Sequence, residues 1–288
     1  MRSAILLTAL TVLFFSCSKN DIQPVAPVTA LTASTQLNVS YGTDPLQKMD
    51  VYLPAGRTVS TTKLMVMIHG GGWSQGDKAD MTAFVDTIQK RFPAYAVVNV
   101  NYRLVTAAGN FFPTQENDVK AAIEFLFNKR SDYAMSDKFV LLGASAGSHL
   151  SLLQAYKYNT PVKIKAVIDF FGPTDMTALH NDPASIYVPS SSIAQLFNGA
   201  TPTSNSAAYV QSSPVTFVNA QSPPTIILHG GLDPLVKPSQ ATALRDKLIL
   251  NNVPNSYVFY PSEYHGWTGP NLTDSFDKIQ AFINQHVQ

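Results

Sequence analysis

The run Lys138-Phe139-Val140-Leu141-Leu142 leads directly into Gly143-Ala144-Ser145-Ala146-Gly147, and an amphipathic stretch from Ser148 to Tyr158 follows at once. The apolar run reads as a buried strand and the stretch after it as a helix. A serine set between glycines at such a junction marks a turn so tight that only small residues fit beside it. Ala144 and Ala146 meet that demand. The turn lifts the serine Oγ above a sheet edge and aims the next backbone N–H at the same point. The bare pentapeptide is common, so its surroundings must carry the argument.

From Thr35 the chain alternates strand-like and helix-like segments. Candidate strands are residues 36–41, 49–53, 63–69, 94–101, 138–143, 165–171, 225–229 and 256–260. The first two, joined by Gly42-Thr43-Asp44-Pro45, suggest an antiparallel hairpin. The later ones are short runs rich in Val, Ile and Phe, as expected for parallel strands buried on both faces. Helical patterns occupy 80–92, 114–129, 147–157, 237–251 and 273–286. This is an α/β fold: a doubly wound, mostly parallel eight-stranded sheet flanked by helices, with an antiparallel edge. Residues 176–223 form the one long irregular interval, with a helix expected near 191–197. An interval of that length inside a domain usually has a function, and its place suggests a small lid or pocket rim.

Ligands of such sheets sit off the carboxyl ends of the strands, and reactive residues cluster there in this sequence. The strand ending at Ile68 runs into His69-Gly70-Gly71-Gly72-Trp73, where glycines let main-chain N–H groups approach a ligand closely. Strand 225–229 is followed by Gly230-Gly231-Leu232-Asp233-Pro234. A carboxylate here can orient an imidazole, although Asp233 reads equally as a helix N-cap or a turn residue before Pro234. The last strand leads to Glu263-Tyr264-His265-Gly266-Trp267. Of six histidines, only His265 and the C-terminal His286 follow Asp233 in the order Ser, Asp, His, and His265 alone of the two comes directly after a strand. Glu263 is a competing acid, but two residues from His265 it points elsewhere.

The formal net charge is +1 and charged residues make up only 14%, against roughly 25% in ordinary domains. With no basic stripe, nucleic acid is not an expected partner. Neither a metal-ligand cluster nor a phosphate loop is visible, so no cofactor is expected. Met1-Arg2-Ser3 and the apolar run 4–15 are too short for a membrane span and have the length of a signal-peptide core. That run ends at Phe14-Phe15-Ser16-Cys17, and Cys17 is the sole cysteine. Residues 1–17 resemble a bacterial lipoprotein signal, which implies lipidation of Cys17, export and attachment to an envelope membrane. Residues 18–34 are polar and aperiodic and read as a flexible tether, leaving 35–288 as the folded domain.

Together these motifs resemble the α/β-hydrolase carboxylesterases that include acetyl and feruloyl esterases and kynurenine formamidases. The likeness extends over nearly all of 36–287, including Met49-Asp50-Val51-Tyr52-Leu53-Pro54, Gly76-Asp77-Lys78, Asn101-Tyr102-Arg103-Leu104 and Phe171-Gly172-Pro173-Thr174-Asp175. It implies a serine hydrolase acting on carboxylic esters through an acyl-enzyme, with Ser145 as nucleophile, His265 as base and Asp233 as orienting acid. It also implies an oxyanion hole from the N–H groups of Gly71, Gly72 and Ala146. Arg103 and Asp118 are expected to brace loops. Trp73, Phe171, Tyr264 and Trp267 neighbour these elements and suggest an aromatic pocket for a flat acyl group or a sugar face, as in plant polysaccharides. An arylformamidase-like amide hydrolase is the nearer alternative. A non-catalytic binding module on the same scaffold is the alternative of another class.

Overall fold

The computed structural model describes residues 30–184 and 188–288. The leader with Cys17 and most of the expected tether therefore lie outside the described residues. Leu31 and Thr32 accept hydrogen bonds from the Gly56 amide and the Arg57 guanidinium, so the chain is held to the domain from there onward.

Eight strands form one sheet: β1 (Ser34–Ser40), β2 (Lys48–Leu53), β3 (Leu64–Ile68), β4 (Ala96–Val100), β5 (Phe139–Ala144), β6 (Ile164–Phe170), β7 (Thr225–Gly230) and β8 (Asn255–Tyr260). Their spatial order is β1-β2-β4-β3-β5-β6-β7-β8. β1, β2 and β4 pair antiparallel, and every other neighbour pairs parallel. The helices are α1 (Thr82–Arg91), α2 (Thr114–Asn128), α3 (Ala146–Lys157), α4 (Met176–Asn181), α5 (Ser190–Leu196), α6 (Ser206–Gln211), α7 (Pro238–Leu250) and α8 (Gly269–His286).

Side chains alternate across each strand, which divides the core into two halves. Leu64, Val66 and Ile68 of β3 belong to the half that also holds Val119 and Ile123 of α2, Leu150 of α3 and Leu244 of α7. Met65 and Met67 face the other way, into the half that also holds Val85 and Ile88 of α1 and Phe276 and Ile279 of α8. All residues of β3 and β4 are buried, which explains why these strands carry no polar alternation.

Sheet topology also fixes where a site can form. The chain leaves β3 for β4 on one side and returns to β5 on the other. Such a reversal opens a crevice at the carboxyl ends, here between β3 and β5.

Some boundaries differ from those expected. A 3-10 turn over Lys78–Met81, capped reciprocally by Asp77 and Asp80, precedes α1. α8 starts four residues earlier than expected, with proline in its first turn, a position where the missing N–H costs nothing. The interval 176–223 holds α4, α5, α6 and a 3-10 turn at Pro214–Phe217. Only α5 is anticipated by the sequence pattern.

Candidate active site

β5 ends and α3 begins across the single residue Ser145, whose φ of 54° and ψ of −119° are unusual for a residue with a side chain. Holding such a conformation costs on the order of 1–3 kcal/mol, and close backbone packing enforces it. A Cβ on Gly143 would lie 2.4 Å from the Gly147 carbonyl carbon, and one on Gly147 would lie 2.1 Å from the Ile68 oxygen. Both glycines of the pentapeptide are thus required so that β5, α3 and β3 can touch. The Ser145 amide donates to Phe170 O at 2.9 Å, fixing the elbow on β6.

The three residues named from chain order converge. Ser145 Oγ donates to His265 Nε2 at 2.9 Å, and His265 Nδ1 donates to Asp233 Oδ2 at 2.7 Å. Asp233 Oδ1 accepts from the Leu235 and Val236 amides at 2.8 and 2.9 Å. Asp233 therefore closes the turn with one oxygen and orients the imidazole with the other, while α7 is capped from Lys237 without a side-chain bond. Burial pushes the Asp233 carboxyl up, but hydrogen-bond donation from His229 and His265 and from the Val236 amide outweighs it. The group is held well below the ordinary carboxylate range. Glu263 accepts from Asn271 Nδ2 at 2.6 Å and is engaged there instead.

The glycine loop after β3 faces this set. Gly71 has φ of 104°, and a Cβ there would sit 2.1 Å from Gln75 O. Neither Gly71 N, Gly72 N nor Ala146 N donates to a protein acceptor among the described residues. Ala146 also opens α3, so its N–H carries the positive end of the helix dipole. His69 braces the loop by stacking on Tyr102 at 4.3 Å and by contact of Nδ1 with Gly70 O at 2.7 Å. Arg103 makes a two-pronged ion pair with Asp118, and Lys78 pairs with Asp50 at 2.9 Å, so these signature residues serve the scaffold.

A cleft of about 760 Å³ opens over Ser145 and His265. Its walls are mostly apolar: Met81, Phe84, Val105, Phe171, Pro173, Leu179, Ile193 and Leu196, with Gln75, Asp80, Ser192 and Gln195 as polar members. The interval 176–223 supplies one wall through α4 and α5, which fits the expected pocket rim. Of the four aromatic residues expected in the pocket, Trp73 and Phe171 line it. Tyr264 and Trp267 do not. Tyr264 is 59% exposed, whereas Trp267 is buried behind Phe171 and donates Nε1–H to Ser275 Oγ at 2.9 Å.

Three further residues belong to the neighbourhood of the site, though sequence alone gives them no role in it. His149 on α3 accepts from Trp73 Nε1 at 3.1 Å and donates from Nε2 to Ser212 O at 2.7 Å. Burial pushes its pKa down to about 4, in keeping with an imidazole that must present a lone pair to the indole. His229, at the end of β7, lies beside Asp233. Asp169 on β6 is fully buried beneath the elbow and accepts from Ser148 Oγ at 2.5 Å and from the Gly172 amide at 2.9 Å. His149 and His229 have one signal in the sequence, a histidine abutting a site motif, but a strand-end or helical histidine reads first as core.

Burial raises the Asp169 carboxyl to about 6, so the folded protein holds this proton more tightly than the unfolded chain does. Its contribution is therefore most favourable below about pH 4 and is lost as pH rises to about 6, roughly 3 kcal/mol across that window. Asp169→Asn does not titrate. Thermal melts between pH 4 and 8 should show the variant gaining on the native protein up to about pH 6 and running parallel above it.

Fold and site together define an α/β hydrolase. The chain belongs to the BD-FAE family, whose profile matches residues 49–248. It is 28% identical over 219 residues to "Probable carboxylic ester hydrolase LipM" of Mycobacterium tuberculosis, covering 72% of this chain and 50% of LipM. It spans 41% to 64% of the length of the first curated relatives it matches. A structure described as a truncated form of a carbohydrate esterase from gut microbiota superposes with a TM-score of 0.76 at 22% identity, covering 91% of this chain and 99% of that one. A bifunctional GH43-CE protein of Bacteroides eggerthii superposes with a TM-score of 0.75 at 24% identity, over 88% of this chain and 35% of that one.

Proposed function

We propose that this protein is a serine esterase that hydrolyses carboxylic esters through an acyl-enzyme, with acyl groups on plant polysaccharide as its substrates. The observation that carries the reading is the unbroken line Ser145–His265–Asp233, whose first two members line the cleft. In this mechanism Ser145 Oγ attacks the ester carbonyl while His265 Nε2 takes its proton. The charge on the tetrahedral oxygen is met by the Gly71, Gly72 and Ala146 N–H groups, each worth on the order of 3 kcal/mol in such sites. His265 then protonates the departing alcohol, and in the second half it activates the water that releases the acid.

The polysaccharide part of the proposal is supported by the names of the carbohydrate-esterase structures that share the fold and by the aromatic face of Phe171 beside His265, 4.5 Å between ring centres. The test is a panel of p-nitrophenyl esters of rising chain length, run beside acetylated and feruloylated xylan and N-formylkynurenine. Turnover of aryl esters and of the xylans is the expected result. Good turnover of aryl esters with none on either xylan would remove the polysaccharide reading, and preference for N-formylkynurenine would replace it with the amide-hydrolase reading.

Residues 1–17 support export and lipid attachment through Cys17. Cys17→Ser is expected to move the protein from the membrane fraction to the soluble envelope fraction. Unchanged fractionation would refute the anchor.

A further inference from the structure

His229 is the penultimate residue of strand β7, four residues before Asp233, and its side chain is fully buried. Its Nε2 lies 2.9 Å from Val236 O and 3.3 Å from Asp233 Oδ2. A carbonyl oxygen only accepts, so Nε2 must carry the hydrogen. That hydrogen points mainly at Val236 O, with Asp233 Oδ2 as a second, longer acceptor. The arrangement closes a ring of contacts, because the amide of Val236 is itself one of the two donors to Asp233 Oδ1. One imidazole thus fixes the residue that fixes Oδ1, and it also stands against the oxygen that accepts from His265.

We propose that His229 is a positioning residue for Asp233, clamping residues 233–236 so that Oδ2 is presented to His265 Nδ1 in one orientation. The proposal rests on the esterase reading above for its kinetic consequence, though not for its geometry. The competing account is that His229 merely fills space at the end of β7. Space-filling needs no particular tautomer and no N–H at this point. The clamp needs both. The titratable groups near His229 are Asp233 on the loop after β7, His265, which shares Asp233 with it, on the loop after β8, and Asp169 on the adjacent strand β6.

The test uses three variants of the full chain. His229→Leu and His229→Met remove the N–H while keeping bulk, whereas the side-chain amide of His229→Gln can return a donor to the place of Nε2. Active sites are counted by fluorophosphonate labelling, so that misfolded protein is discounted. Per labelled site, kcat on a p-nitrophenyl ester should fall about tenfold or more in Leu and Met with KM within twofold of native, and Gln should recover to within about threefold. Loss of the clamp also loosens the Asp233 contact that stabilises the protonated imidazole of His265, so the acid limb of the kcat/KM profile should move to lower pH in Leu and Met but not in Gln. Nitrogen-15 spectra of the native protein should show His229 as the Nε2–H tautomer, and the low-field proton of His265 Nδ1 should be lost or displaced in Leu and Met and kept in Gln.

Native kcat per site and an unmoved acid limb in Leu or Met would overturn the proposal. So would a Gln variant as impaired as Leu, or an Nδ1–H tautomer in the native protein. Should Leu and Met fail to fold, the native tautomer and the Gln kinetics still decide. A native protein inactive on every ester would refute the esterase reading instead, and the spectra alone would then decide the role of His229.

Discussion

Ser145→Ala is expected to lower ester hydrolysis by about 10⁴- to 10⁶-fold and to abolish labelling by a fluorophosphonate, with no change in the circular dichroism of the folded protein. The size of the effect follows from the geometry. Without Oγ, His265 Nε2 has nothing to deprotonate except water, and the cradle formed by Gly71, Gly72 and Ala146 has no covalent adduct to stabilise. Residual activity would come from those amides and from binding alone. The same position allows an internal check. Alanine inherits the φ of 54°, but glycine adopts it freely, so Ser145→Gly should be equally inactive yet melt higher than Ser145→Ala, by about 1 kcal/mol. Labelling that persists in Ser145→Ala would place the nucleophile elsewhere. Absence of labelling in the native protein would favour the non-catalytic binding module.

Asp233→Asn carries the second large effect, about 10⁴-fold in kcat with KM nearly unchanged. An amide at this position keeps its oxygen on the Leu235 and Val236 amides, since turning it over would set two donors against its NH₂. The NH₂ is then directed at His265 Nδ1, which must answer with a lone pair. The ring hydrogen moves to Nε2, and no acceptor remains for the Ser145 proton. Activity within tenfold of native would show that Asp233 does no more than close the turn before Pro234. Stability supplies an independent measure. Because the folded carboxyl is held below its ordinary range, its contribution is present above about pH 4, the unfolded value, and vanishes as pH falls through the lower folded value. The native protein should therefore out-melt Asp233→Asn at pH 7 and lose that advantage in strong acid.

The sheet was legible because its inner strands are buried on both faces, and a run such as Leu64–Ile68 has no other home. The convergence of Ser145, Asp233 and His265 was legible because each follows a strand end in the expected order. The pocket was harder, for a physical reason. Tyr264 and Trp267 flank His265 in sequence, but the bridge between Tyr264 and Gly266 belongs to a turn that sends neighbouring side chains in different directions. Sequence adjacency to a reactive group is not spatial adjacency. The helices α4 and α6 span six residues each, too few to display a period. Their signals were Asp175 and Asn205, each of which accepts from an amide three residues on, a capping pattern visible before any helix is. Asp169 left a weaker trace: it accepts from the Gly172 amide three residues on, but at the end of a buried strand, and its other partner, Ser148, is brought beside it only by the folded sheet.

The hydrogen-bonded line from Trp73 through His149 to the Ser212 carbonyl ties three parts of the chain that lie far apart in sequence: the glycine loop, the helix behind the serine, and the interval that walls the cleft. A lineage exchanging that interval for another must keep an acceptor where Ser212 stands, or the indole loses its anchor and the cradle shifts. In this scaffold, remodelling the cleft wall and holding the main-chain cradle in place are coupled demands.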